Sequence, residues 1–372
     1  MRVHALIDGL GTGGAENLLS DLAVGARDAG VQLSVGYFTA SGETVVERLR
    51  ANGVEPVLVP ISSLLGRRDR RLVREHLAAV APDVLHTHLG YADVLGGLAA
   101  RSLGVPAVST IHGADWVRAP RDRIKERLMA SARRRCARKV IAVSDAERRR
   151  YLELGRDRPE HVVTVNNGIV DGARPGSGEA IRAELGIGPR ERVVVMLGAL
   201  RPGKGHALAV EAITALSPGL PGLRLLIVGD GTERESIERG AAGLGDAAVL
   251  TGYRGDVMEI LDAADLLIHP TSSDAFPTAL IEAGAARLAA VATDVGGVAE
   301  ILIAGETGLT IPAPPRAGDL AAAIERALGD DNLRRRLGAA GRARFERYFT
   351  AERWIERLLP VYRDAIGSSS EA

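Results

Sequence analysis

Cysteine is almost absent: Cys136 is the sole one in 372 residues. That excludes an intramolecular disulfide and any zinc site built from several cysteines. Aromatic residues are also scarce, at 3% against 46% hydrophobic. The core must therefore be built from Ala, Val, Leu and Ile, a composition suited to parallel sheets packed by helices. An excess of either charge is missing, with 47 basic and 47 acidic residues, so composition gives no argument for a nucleic-acid partner. No apolar run approaches the ~18 residues needed to span a bilayer. Met1 leads straight into a strand pattern, without a charged-then-apolar leader. The expectation is a cytoplasmic protein, soluble or peripheral at the inner face of the membrane.

Short apolar runs alternate with amphipathic stretches from end to end. Strands are expected at 3–7, 33–38, 56–59, 84–86, 107–111 and 140–143, then at 192–198, 223–229, 247–252, 265–270 and 288–294. Such β-α alternation predicts parallel, doubly wound sheets. Between the two series, "DGARPGSGE" (171–179) breaks the pattern and reads as a linker. The fold class is thus α/β, with two Rossmann-like domains at 1–172 and 180–345. Ligands bind beyond the carboxyl ends of such strands, and facing domains would form a cleft there. After Asp319 the pattern is helical; Pro360 is expected to kink or break the terminal helix. "GSSSEA" reads as a frayed tail.

Gly9, Gly11 and Gly14 form a G-x-G-x-x-G between a strand and a helix. A dinucleotide site also needs an acid at the end of the second strand, and Thr39 stands there. What survives is a glycine loop, with Gly13 and Gly14 at its end, that lets backbone approach an anion. A tight turn without a ligand would use the same residues. "GALRPGKG" (198–205) falls one residue short of a P-loop, with Gly205 where a magnesium-binding hydroxyl belongs. It still places Arg201 and Lys204 beyond a strand, where two cations suit a diphosphate or simply form an exposed basic turn.

The most informative stretch is 269–300, "HPTSSDAFPTALIEAGAARLAAVATDVGGVAE". A polar loop leads to Pro277 at a plausible first helical position. The backbone N–H groups around Phe276, Pro277 and Thr278 would form an anion-binding helix terminus. Glu282 lies four residues after Thr278 on the same face, placed to accept from ribose hydroxyls. Asp274 in the loop could bond a sugar hydroxyl. The plain alternatives are a solvated helix residue and a cap.

In order and in kind, these motifs resemble a retaining GT-B glycosyltransferase of the family 4 type (glycosyl transferases group 1). Asp274 and Glu282 match the family's two acids separated by seven residues. "GTGGAE" (11–16), "STIHG" (109–113), "IAVSDAER" (141–148), "NNGI" (166–169), "LRPGKGH" (200–206) and "LTGYRGDV" (250–257) follow in sequence. The departures are Asp274 where Glu is usual, Ala199 where many members have Arg, and Arg287 where a glycine turn is common.

The resemblance implies transfer of a sugar from a nucleoside diphosphate donor to an acceptor hydroxyl, with retention. Asp274, His112, Arg201 and Lys204 would form the catalytic set: Arg201 and Lys204 on the diphosphate, Asp274 orienting the sugar, His112 meeting sugar or acceptor. Gly13, Gly14, Tyr253, Arg254, Phe276, Pro277, Thr278 and Glu282 would bind the donor. It also implies a terminal helix at 349–367 crossing back to the first domain. No D-x-D triplet occurs, so neither a metal nor another cofactor is expected. The acceptor class, whether glycan, lipid-linked or small molecule, stays open.

His86 and His88 form an H-x-H, expected to point to opposite sides of a strand and lacking a third metal ligand. The basic stretches 67–74 and 121–139 read as solvated faces that could also rest on an anionic membrane. The rivals are a GT-B-fold sugar-nucleotide epimerase, an inactive nucleotide-sugar-binding homologue and, disfavoured by Thr39, an NAD-dependent oxidoreductase.

Overall fold

The computed structural model describes residues 1–372 apart from Thr12, Ser41, 64–65, 114–119 and 368–372, and apart from the side chains of 120–123. The expected frayed tail after Gly367 lies outside the described residues. Two compact units emerge: Met1–Val170 with the chain from Thr350 onward, and Asp171–Phe349.

The first unit is built on a parallel sheet of β1 (Arg2–Gly9), β2 (Gln32–Thr39), β3 (Val57–Leu58), β4 (Val84–His88), β5 (Ala107–Ile111), β6 (Lys139–Ala142) and β7 (Val162–Thr164). Its spatial order is β3-β2-β1-β4-β5-β6-β7. The central strands are buried on both faces; every residue of β4 and β5 is buried. The second unit repeats the plan with β8 (Arg192–Leu197), β9 (Leu223–Val228), β10 (Ala248–Gly252), β11 (Leu266–His269), β12 (Ala290–Thr293) and β13 (Leu309–Ile311), in the order β10-β9-β8-β11-β12-β13. In both, the order reverses beside the first strand, which opens a crevice at the carboxyl ends of β1 and β4 and of β8 and β11.

Three expectations change. The short strands β7 and β13 were not foreseen, because three residues give no readable alternation. The terminal helix Ala351–Gly367 continues through Pro360. Proline removes one backbone hydrogen bond, and here the loss is outweighed by a largely apolar buried face of Trp354, Ile355, Leu358, Tyr362 and Ala365. That face packs on the helix Gly14–Asp28 and on β4 and β5, and each large side chain contributes about 1.5–3 kcal/mol by burial.

The stretch 121–139 is not simply a solvated face. Arg133 is buried, with Nε 2.7 Å from Asp93 and Nη1 3.3 Å from Glu126. Thr87 and Ser109 each donate to Asp93 at 2.6 Å, and Arg156 also reaches Glu126, at 3.1 Å. Both oxygens of the buried Asp93 thus have donors, as burial of a carboxylate demands.

Candidate functional site

In the second unit, the loops after β8 and β11 meet across the crevice between those strands. Gly203 and Gly205 adopt φ of +90° and +86°, which lets the β8 loop fold back upon itself. The Gly203 carbonyl accepts from Thr271 Oγ1 at 3.0 Å and from the Ser272 backbone N–H at 2.8 Å. Gly296, at φ +54°, lies against the Asp274 carbonyl, where a Cβ would overlap that oxygen. The Gly297 N–H donates to the same carbonyl at 3.2 Å. The β8 loop thereby fixes Thr271 and Ser272, and the Gly296–Gly297 turn fixes the backbone of Asp274.

Its side chain is equally constrained. Lys204 Nζ donates to Asp274 Oδ2 at 2.6 Å, and His269 Nε2 donates to the same oxygen at 3.1 Å. Burial alone would push this carboxyl up; the His269 hydrogen bond and the Lys204 charge overturn that and hold it well below the ordinary carboxylate range. Both of these donors bind Oδ2. Behind the pair, His206 is buried with neither ring nitrogen partnered among the described residues. Burial, then the Lys204 and His269 charges, lower it to about 4 and keep it neutral.

The helix Thr278–Ala285 starts at Pro277 as its N-cap, one residue later than expected, with no side-chain cap and no acid in its first turn. Its N-terminal N–H groups and dipole suit an anion. The Phe276 ring is buried edge-on to Phe349, with centroids 5.8 Å apart. Its role in the loop is anchorage, which leaves the backbone to meet a ligand. Thr278 and Glu282 are half-buried on the same helix. Arg201 is exposed in the β8 loop. Tyr253 is exposed as well, whereas Arg254 is tied to Glu184 and to Asp256, its Nε donating to Asp256 at 2.8 Å. Arg287 takes the left-handed conformation at φ +59°, a backbone geometry that favours glycine.

In the first unit, Gly13 caps the helix Gly14–Asp28, and the Glu16 carboxylate folds over Gly13. Asp8, at the end of β1, accepts from the Tyr91 and Ala92 N–H groups at 3.0 and 2.7 Å. It thereby fills the N-terminus of the helix Gly90–Leu103. Burial raises Asp8 to about 6, against the pull of those two hydrogen bonds.

His112 follows β5, and its Nε2 lies 3.0 Å from His88 Nδ1. The rings of His86 and His88 stack with centroids 4.1 Å apart. This corrects the expectation of opposite sides: side chains two apart along a strand share a face. His86 is held by Tyr362 Oη at 2.8 Å and Thr110 Oγ1 at 2.7 Å. Among the described residues, no group of three or more His, Cys, Asp or Glu is placed to hold a metal ion.

The structure thus brings Asp274 and Lys204 into direct contact and adds His269, His206, His88 and Asp8, none of which was a candidate for donor or acceptor contact from sequence. The signal for His269 was present, a polar residue ending an otherwise apolar strand just before the acid-bearing loop.

Residues 177–344 match the family model for glycosyl transferases group 1, and residues 12–171 match that for glycosyltransferase family 4. The chain is 30% identical over 306 residues to D-inositol 3-phosphate glycosyltransferase of Segniliparus rotundus, covering 76% of this chain and 66% of that protein, just under two thirds. It is 29% identical over 291 residues to alpha-D-kanosaminyltransferase of Streptomyces kanamyceticus, covering 73% of each. The crystal structure of Anabaena Alr3699/HepE in complex with UDP and glucose superposes with a TM-score of 0.85 at 22% identity, covering 97% of this chain and 99% of that one. With both sheets and nearly the whole length accounted for, the chain belongs to the GT-B glycosyltransferases of the family 4 type.

Proposed function

We propose that this protein transfers a sugar from a nucleoside diphosphate donor to an acceptor hydroxyl, with retention and without a metal. The observation that carries the reading is the Lys204–Asp274 pair, 2.6 Å apart at the switch point of the second sheet, beside an uncapped helix N-terminus. The Anabaena structure holds UDP and glucose, which supports a nucleotide-sugar donor here.

Departure of the diphosphate develops charge on its oxygens, and pre-placed donors stabilise that charge best. Lys204, Arg201 and the N–H groups near Thr278 take this role. The bond between the anomeric carbon and the phosphate oxygen breaks. The acceptor oxygen bonds that carbon on the same face and passes its proton to the departing phosphate, so no protein nucleophile is needed. Asp274 orients the sugar, Glu282 holds the ribose, and His112 of the first unit meets the sugar or acceptor hydroxyl. Gly13 and Gly14 let backbone approach the donor, and Tyr253 with Arg254 borders the base. Side-chain cations supply the positive charge that a metal supplies elsewhere, which agrees with the absent D-x-D triplet.

Thermal shift with a panel of nucleoside diphosphates tests the reading. UDP or GDP is expected to stabilise the protein, and Glu282→Ala and Lys204→Ala to abolish the shift. A response to NAD alone would sink it. A donor screen for slow nucleotide-sugar hydrolysis, followed by acceptor capture, separates transfer from epimerisation and from binding without activity. Loss of turnover with a chelator would contradict the metal-free step.

A further inference from the structure

His112 and His88 share one hydrogen bond, and the surroundings decide which ring supplies its proton. His112 Nε2 and His88 Nδ1 are 3.0 Å apart. If His112 donates, His88 accepts at Nδ1 and must carry its own proton at Nε2. That atom is buried with no partner among the described residues. If His88 donates from Nδ1, its Nε2 is left as a bare lone pair. In folded proteins a buried N–H without an acceptor is rarer than a buried acceptor without a donor. The second arrangement is therefore favoured.

The consequence falls on His112. A neutral imidazole that accepts at Nε2 carries its proton at Nδ1. His112 is half-buried where His86 and His88 are buried. Both rings of the pair are neutral near pH 7. Burial, then the Arg133 charge, brings His112 to about 4; burial, with His86 and His112, brings His88 well below its usual value. The pair is braced from behind. His86 stacks on His88 and is itself clamped between Thr110 and Tyr362 of the terminal helix.

We propose that His88 is a positioning residue that sets the tautomer of His112, so that His112 presents a neutral Nδ1–H donor to a ligand oxygen and no basic nitrogen. The ligand part of this inference rests on the function proposed above; the tautomer does not. A neutral N–H donor suits an oxygen that gains negative charge or offers a lone pair, such as a sugar hydroxyl acting as acceptor.

Long-range 1H–15N spectra of the full-length protein labelled with 15N-histidine test it, with His112 assigned by its loss in His112→Gln. A protonated Nδ1 and bare Nε2 on His112 are expected near pH 7.5; a protonated Nε2 would overturn the proposal, whatever the activity. His88→Asp replaces the donor by an acceptor and is expected to move the His112 proton to Nε2, lowering nucleotide-sugar turnover roughly a hundredfold. His88→Asn, whose amide N–H can take over the bond, is expected to keep the original tautomer. An unchanged tautomer in His88→Asp would overturn the positioning role. A moved proton with unchanged turnover would overturn the donor role. Absence of turnover in the unaltered protein would remove the proposed function and leave the tautomer standing on its spectrum. The unaltered protein supplies the first reading, so the test survives even if a variant fails to fold.

Discussion

At the switch point of each sheet sits a carboxylate, and the two meet different donors. Asp8 of the first unit caps the N-terminus of the helix Gly90–Leu103 through two backbone N–H groups, and burial raises it to about 6. Asp274 of the second unit faces Lys204 and His269; despite burial those donors hold it well below the ordinary range. The equivalent helix there, Thr278–Ala285, has no side-chain cap. One strand order thus yields one crevice whose helix terminus is filled by the protein's own acid, and another whose terminus is free of such an acid. The physical difference lies in the donors that touch each acid: backbone N–H groups on Asp8, an ammonium and an imidazole on Asp274.

The comparison extends to titration. The first unit holds several neutral histidines, among them the buried His4 and His86 at about 3 and the half-buried His112 at about 4, all lowered first by desolvation. The second unit has His206 in that state, at about 4.

The sharpest way to break the comparison is to remove charge from each unit in turn. Arg133→Ala strands Asp93 and Glu126 in the first unit and should cost about 3–5 kcal/mol. Both tryptophans, Trp116 and Trp354, fall in the sequence of that unit, so denaturant unfolding followed by tryptophan fluorescence should register the loss. A midpoint unmoved in fluorescence would contradict the buried network. Lys204→Ala in the second unit should lower nucleotide-sugar turnover about 10²–10³-fold, near 3 kcal/mol of barrier. It should leave the fluorescence transition in place; unchanged turnover would detach Lys204 from the chemistry.

Acid provides the next test. With folded values lowered to about 3 or 4 for His4, His86 and His112, the unfolded chain binds protons that the folded unit refuses once pH drops below 6.5. Their contribution is full above pH 6.5 and is lost as pH falls toward 4, at about 1.4 kcal/mol per pH unit for each unmatched proton. Asp8 and Asp21, raised by burial to about 6, act the other way. Between about pH 4 and 6 the folded unit holds protons that the unfolded chain has shed, so their contribution is lost as pH rises through 6. His88 and His76, also lowered by burial, make five histidines against three carboxyls, since burial raises Glu16 as well. The first unit should therefore lose stability from pH 6.5 to 4.5 more steeply than the second. Fluorescence and far-UV circular dichroism should separate in acid; coincident transitions would refute the asymmetry.

The smallest effects are a matched pair of helix caps. Ser144 accepts from the Glu147 N–H at 3.0 Å in the first unit, and Asp330 from the Leu333 N–H at 2.9 Å in the second. Ser144→Ala and Asp330→Ala should each cost about 1 kcal/mol, with only the former visible in fluorescence.

Most of the fold was legible because its signal is local. The apolar runs that became β1, β4, β5, β8, β9 and β11 are separated by helical patterns, and parallel pairing follows from that alternation. The limits were reached where the deciding interaction is remote in sequence. Pro360 reads as a helix breaker until its helix finds an apolar seat on β4 and β5. Arg133 reads as surface charge until Asp93, 40 residues away, comes within 2.7 Å. His86 and His88 were expected on opposite sides although a strand's period of two places them together. Of the candidate site, the identities of Lys204 and Asp274 were readable from their loops, but their contact across 70 residues was not.

By itself the sequence determined two parallel α/β units, the loops that end their strands, and the glycines that let those loops turn back. These follow from periodicity and from backbone freedom, both of which act over a few residues. Only the tertiary structure decided protonation and partnership: that Asp274 is a carboxylate shared by Lys204 and His269, that Asp8 closes its own crevice, and that His88 stands behind His112. Those outcomes depend on burial and on charges brought together from distant segments, and no short stretch of chain carries either.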